Sequence, residues 1–159
     1  MTVVRGHAVT PMTGNDVDLG CSHVAVTVSD LDVALGFFQR FTDMEVVHRR
    51  LGESGHGVAW VSDLTRPFVI VLIEGAVTHP LGGWAHIGIG CAGRDDVDQR
   101  LADAAAAGWT VTGPFDDGPP AGYWGIITGP DGHNIELAYG QQVGITVRNA
   151  VAEQRNPRG

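Results

Sequence analysis

The chain has 159 residues, enough for one compact domain with its own core and too few for two ordinary ones. Its formal net charge is −8 and all 10 basic residues are arginine, so the clustered cations that nucleic acid or an anionic membrane requires are missing. Without lysine, Schiff-base chemistry, a pyridoxal-phosphate anchor and a Walker-type phosphate loop are excluded.

In chain order, residues 1–18 read as a flexible flank without the apolar core of a signal peptide, and no apolar run is long enough to span a bilayer. A cytoplasmic protein is expected. Cys21 and Cys91 form no CxxC and lie in strand-like surroundings, so they read as buried free thiols in a reducing compartment. CSHVAVTVSD alternates as a strand, with Val24, Val26 and Val28 on one face and His23, Ala25 and Thr27 on the other. Ser29 or Asp30 then caps a helix in which Leu31, Ala34, Leu35, Phe38 and Phe41 recur at helical spacing. Three strands follow: MEVVHRR, HGVAWVS and RPFVIVLIEG.

The second half repeats the plan. WAHIGIGCAG is a strand, RDDVDQRLADAAAAG is a helix stopped by Gly108, and WTVTGPF, YWGIITG and HNIELAYG are three further strands. Each half reads βαβββ, an internal duplication with a period of roughly 60 residues. The domain spans residues 19–141, with modules at about 19–76 and 84–141, and residues 142–159, poor in periodic pattern, read as a C-terminal tail.

The polar exceptions fall in matching places. His23 to Glu74 is 51 residues and His86 to Glu136 is 50, so in each half a His opens the first strand and a Glu lies near the end of the fourth. In the last strand Ile135, Leu137 and Tyr139 share one face, and Glu136 points the other way with Asn134 and Ala138. Glu74, inside VIVLIEGA, is a charge in strongly apolar company, and burying it unpaired would cost several kcal/mol. A divalent cation held by His23, Glu74, His86 and Glu136 removes that cost; with Glu74 solvated at the strand's mouth instead, His23, His86 and Glu136 form a two-His, one-carboxylate triad.

The remaining histidines have other readings. His7 lies in the flank, His48 beside Arg49 and Arg50, His56 in a turn and His79 between the halves, while His133 follows the PDG turn and is expected to serve the hairpin. The Gly- and Pro-rich stretch GPFDDGPPAGYWG is a candidate pocket wall, with Tyr123 and Trp124 offering apolar faces to a ligand or simply packing as strand aromatics. No GxSxG occurs, which argues against a serine hydrolase.

Across residues 19–141 the sequence resembles the vicinal oxygen chelate superfamily of glyoxalase I, extradiol dioxygenases, methylmalonyl-CoA epimerase, fosfomycin-modifying enzymes and bleomycin-resistance proteins. The resemblance rests on SHVAVTVSDLDVALGFF, WAHIGIG and GPPAGYWGIITGPDGHNIELAYGQ. It implies an α+β fold of two tandem βαβββ modules, a curled, barrel-like mixed sheet with helices outside, around a cleft whose ion (Ni, Co, Zn, Mn or Fe) is held at the positions of His23, Glu74, His86 and Glu136. It further implies proton transfer, isomerisation or lyase chemistry on a small molecule with vicinal oxygens through a metal-stabilised enediolate, with Glu136, then Glu74, as general base, in a homodimer whose cleft is sometimes built from two chains. A metal-free antibiotic-binding protein is the alternative from another class. An Fe or Mn extradiol-type dioxygenase is a third reading, disfavoured because Ile126 stands where those enzymes carry an acid/base tyrosine.

Overall fold

The computed structural model describes residues 18–52 and 55–155; the expected N-terminal flank, with His7, falls outside them except for Asp18. The strands are β1 (His23–Val28), β2 (Glu45–Leu51), β3 (Gly57–Ser62), β4 (Val69–Glu74), β5 (Ile87–Gly90), β6 (Thr110–Gly118), β7 (Gly122–Thr128) and β8 (Asn134–Tyr139). The helices are α1 (Leu31–Thr42), α2 (Arg94–Ala106) and α3 (Val143–Arg155). Two four-stranded mixed sheets form, ordered β1-β4-β3-β2 and β5-β8-β7-β6. The identical order is what the duplicated sequence pattern predicts, and among the described residues the two sheets do not close into a barrel.

Local chemistry accounts for the elements. The Asp30 carboxylate accepts from the Val33 N–H at 3.0 Å and caps α1, whose predicted apolar residues are all buried. Helix α2 buries Val97, Leu101 and Ala104 at successive turns, and Gly108 takes the positive φ of 90° that ends it. In β8, Ile135 and Leu137 are fully buried under α2's side of the sheet.

One continuous apolar core joins the modules through their helical sides. Phe37 of α1, buried beyond the five predicted positions, meets Trp109 edge-on at 5.2 Å. It also fills the space over Gly129, where a Cβ would stand 2.7 Å from the ring. Arg100 of α2 donates to the Phe41 carbonyl at 3.2 Å and pairs with Asp43 and Asp96.

The PDG turn does more than close a hairpin. Asp131 accepts from the Ser29 N–H at 2.9 Å, and His133 Nε2 donates to the Thr27 carbonyl at 2.8 Å while its Nδ1 accepts from the Leu81 N–H at 3.0 Å. His133 is therefore a buried staple between β1 and the connection linking the halves.

Three expectations change. The tail forms helix α3 over Val143–Arg155, with Val143, Val147 and Val151 one turn apart along an exposed stripe; three valines are too sparse a pattern to stand out. Cys21 is exposed because it precedes β1 instead of lying in it. Cys91 is half-buried just beyond β5, and burial pushes its thiol above the usual range. Among the described residues no helix is long and apolar enough to cross a membrane.

Phe37→Ala is expected to lower unfolding free energy by about 3–5 kcal/mol in denaturant titration, because it empties the seam between modules. A loss under about 1 kcal/mol would show that the helical layers do not depend on this contact.

Candidate functional site

The site is built on the open face of the second sheet, away from α2. Ile87 pairs with Ile135 and Gly88 with Glu136 across the parallel β5–β8 ladder, so His86, one residue before β5, lies at the same end of the ladder as Glu136. The His86 Nδ1 bonds to the Trp84 carbonyl at 2.8 Å. A carbonyl only accepts, so this bond assigns the proton of the neutral ring to Nδ1 and turns the Nε2 lone pair outward. That nitrogen lies 3.6 Å from Glu136 Oε2.

The other carboxylate oxygen, Oε1, accepts from Gln141 Nε2 at 2.7 Å, just beyond the end of β8. Glu136 is 7% exposed, and among the described residues its ion-pair partner is His86 and no arginine. Glu136 Oε2 and His86 Nε2 thus face each other on the open side of the sheet. Ligands each about 2.1 Å from a tetrahedral cation stand about 3.4 Å apart, so the pair fits a shared divalent ion. The backbone carbonyl behind His86 and the amide behind Glu136 are the outer supports such ligands ordinarily have.

The other two predicted ligands lie elsewhere. His23 sits on the open face of the first sheet, beside a groove of about 630 Å³ lined also by Trp60, Val71 and Arg50, with Nδ1 3.0 Å from Ser22 Oγ. Among the described residues no three His, Cys, Asp or Glu side chains converge where a cation could sit.

Glu74 is on the opposite face and at the opposite end of the ladder from His23. His23 pairs with Val69 and Val28 with Glu74, which places them about 16 Å apart along the strands. Glu74 accepts from the Gly57 N–H at 2.9 Å and from the Leu31 N–H at 3.3 Å, capping the start of α1. Ala25 pairs with Val71 as Gly88 pairs with Glu136, so the counterpart of Glu136 in the first module is Val71. The nearly equal sequence offsets concealed that Glu74 lies three residues beyond the register position of Glu136.

Of the two predicted pocket aromatics, Trp124 lies on the open face and Tyr123 on the helical side. The Tyr123 hydroxyl donates to Asp98 of α2 at 2.6 Å and Arg94 stacks over its ring. Trp124 borders a trough of about 490 Å³ whose further walls, Trp84 and Phe115, the sequence reading did not single out. Gln141 was missed as well; the signals were a Trp two residues before His86 and a Gln following the Glu136 strand.

Residues 20–137 match the family model for the Glyoxalase/Bleomycin resistance protein/Dioxygenase superfamily, and the chain belongs to that family. It is 33% identical over 127 residues to the uncharacterized protein PA2024 of Pseudomonas aeruginosa, covering 77% of this chain and 90% of that one. Among solved structures it is similar to a possible glyoxalase from Bacillus cereus (TM-score 0.61, 23% identity, 76% of this chain and 99% of that one). It is similar also to the fosfomycin resistance protein FosX of Listeria monocytogenes complexed with Mn(II) and a dihydroxypropylphosphonic acid (TM-score 0.64, 19% identity, 82% and 99%). A third is TnmS3, an antibiotic binding protein from Streptomyces sp. CB03234 (TM-score 0.59, 25% identity, 77% and 96%).

The Gly57 N–H, with that of Leu31, holds the Glu74 carboxyl below its ordinary value of 4.5. A depressed folded-state pKa gives stability that is present above the unfolded value and lost as pH falls through the folded one. Glu74→Gln is therefore expected to melt below the wild type at about pH 7, with the gap closing toward about pH 3. A gap that persists in acid would mean that Glu74 acts through packing and not through its charge.

Proposed function

We propose that this chain is a divalent-metal-dependent enzyme of glyoxalase type, acting on a small molecule with vicinal oxygens by proton transfer, isomerisation or lyase chemistry. The observation that carries the reading is the confrontation of His86 Nε2 with Glu136 Oε2 at 3.6 Å, each supported from behind. A divalent cation held there supplies Lewis-acid stabilisation of negative charge on two neighbouring substrate oxygens. Glu136 is the carboxylate placed to take a proton, and Gln141 keeps one of its oxygens oriented while the other faces the cleft.

In this proposal the third ligand is His23 of a second copy, which gives a two-His, one-carboxylate set. The modules of one chain meet through α1, α2 and the PDG turn, which leaves the open faces of both sheets uncovered. Those faces expose Trp60 and Ile73 on one side and Trp84 and Phe115 on the other. A homodimer that sets one face against the other covers them and brings His23 to the pair. The half-buried and exposed free thiols of Cys91 and Cys21 suit a reducing compartment.

One observation favours a metal-free antibiotic-binding protein as second reading: the aromatic trough stands complete within one chain whereas the ligand set does not. The dioxygenase reading gains nothing, since Ile126, at the place of the acid/base tyrosine, faces Glu136 across the β7–β8 ladder.

Mn(II) titration of chelator-treated protein is expected to give about one site per chain, abolished by His23→Ala, His86→Ala or Glu136→Gln and retained in Glu74→Gln. Gln141→Leu is expected to weaken the ion about 10–100-fold. Mixing His23→Ala with Glu136→Gln subunits restores about a quarter of the sites by random assortment, since each mixed dimer keeps one intact set. A wild type that takes up none of Mn, Ni, Co, Zn or Fe ends the enzymatic reading. Mixed dimers that form without regaining sites end the role of His23 across the dimer.

A further inference from the structure

His86 owes its direction to a turn, and the turn is held from β8. Between Pro80 and Ala85 the Gly82 N–H donates to the Pro80 carbonyl at 2.9 Å and the Ala85 N–H to the Gly82 carbonyl at 3.1 Å, with Gly83 at a positive φ of 61°. The Ala85 N–H and the Trp84 carbonyl belong to one peptide unit, which is planar and trans, so they point in opposite directions. With the N–H turned in toward Gly82, the carbonyl is turned out to meet His86 Nδ1 at 2.8 Å. The orientation of the ring is thus decided inside the turn, before β5 begins.

Residues 133 and 134 fasten that turn to the sheet. The Leu81 N–H donates to His133 Nδ1 at 3.0 Å, and the Leu81 carbonyl accepts from the Asn134 N–H at 2.7 Å. The side chain of Asn134 adds a third hold, donating from Nδ2 to the Gly83 carbonyl at 2.9 Å. Its amide is oriented in turn by the Thr128 hydroxyl, which donates to Oδ1 at 2.9 Å and leaves Nδ2 for Gly83. Asn134 is 6% exposed, and the peptide unit it holds is the one that enters Trp84. Both peptide units flanking Trp84 are therefore fixed, one by Asn134 and one by the turn itself.

Among the described residues the first module has no such hold. Val69 stands in the register place of Asn134, and His23 Nδ1 meets the hydroxyl of its neighbour Ser22 at 3.0 Å, a group that rotates and can donate or accept. The module with the clamped imidazole is the one with the carboxylate.

We infer that Asn134 is a positioning residue of the site: by holding the Gly83 carbonyl it fixes the turn whose Trp84 carbonyl keeps the His86 proton on Nδ1 and aims Nε2 at Glu136. The use of that nitrogen by a cation rests on the metal reading above; the hold on the ring does not.

The test is nitrogen NMR of the imidazole rings in the chelator-treated full chain at alkaline pH, where they are neutral, with His86 assigned by its loss in His86→Ala. The wild type is expected to hold His86 in the Nδ1–H form. Asn134→Leu, which keeps the volume and removes the donor, is expected to move the ring toward the Nε2–H form and to weaken Mn(II) binding about tenfold. Asn134→Ser, polar but too short to reach Gly83, is expected to do the same, and it reads the point if the leucine variant does not fold. Val97→Ala, a loss of packing at a fully buried position under α2, is expected to leave the tautomer as it is.

A folded Asn134 variant that keeps the wild-type tautomer would overturn the inference, and so would a wild type already in the Nε2–H form. An equal change in Val97→Ala would overturn it as well, by making the effect one of general loosening. A wild type that shows the Nδ1–H form and loses it with Asn134, yet takes up no metal, would uphold the hold on the ring and end the metal reading alone.

Discussion

A largely buried carboxylate facing an imidazole nitrogen is the contact on which the candidate site depends. Glu136 is 7% exposed, and of its two oxygens only Oε1 receives an N–H, from Gln141. Its cross-strand neighbours cannot neutralise it: Gly88 on one side has no side chain and Ile126 on the other is apolar. Among the described residues the ion-pair partner that the open face offers this carboxylate is His86, and the proposed cation would lie between the two.

Most of the fold was legible because periodicity carries it. Alternation marked β1 and β8, helical spacing marked α1 and α2, and the duplicated plan reappears as two sheets of identical strand order. The face of Glu136 was legible from the same period of two. Glu74 was not, because a similar offset along the chain is not an equal register in the ladder. With β4 beginning at Val69, the place of Glu136 falls on Val71 and leaves Glu74 three residues further along, on the helical side. A glutamate that caps a helix and one that awaits a cation look alike in sequence, since both interrupt an apolar strand. The pairing of Tyr123 with Trp124 as joint pocket residues was avoidable: neighbours in a strand face opposite ways, and only one of them borders the cleft.

The PDG turn shows how a local signal can have a distant use. Asp131 and His133 were read as parts of a hairpin, yet their side chains bond to Ser29 and Thr27 in the other module. With Phe37 against Trp109 and Arg100 on the end of α1, these contacts fasten the halves along their helical layers. Such a seam was out of reach of periodicity, which reports the face a residue takes within its own element and nothing about the element it meets. Its consequence is functional. By joining the modules on the helical side, the chain leaves both open sheet faces unmatched.

The two open faces differ, and in the proposed reading that difference is why neither half serves alone. The first retains His23 but has Val71 in the carboxylate position, with Arg50 and Trp60 around its groove. The second holds His86, Glu136 and the three aromatic rings, with no cationic side chain lining its trough among the described residues. With the carboxylate confined to one face, a two-fold arrangement that opposes unlike faces produces two equivalent clefts, each with one carboxylate and two imidazoles. In the proposed dimer, the presence of the carboxylate in one module and of Val71 at its place in the other makes the two faces complementary and the metal centre conditional on association.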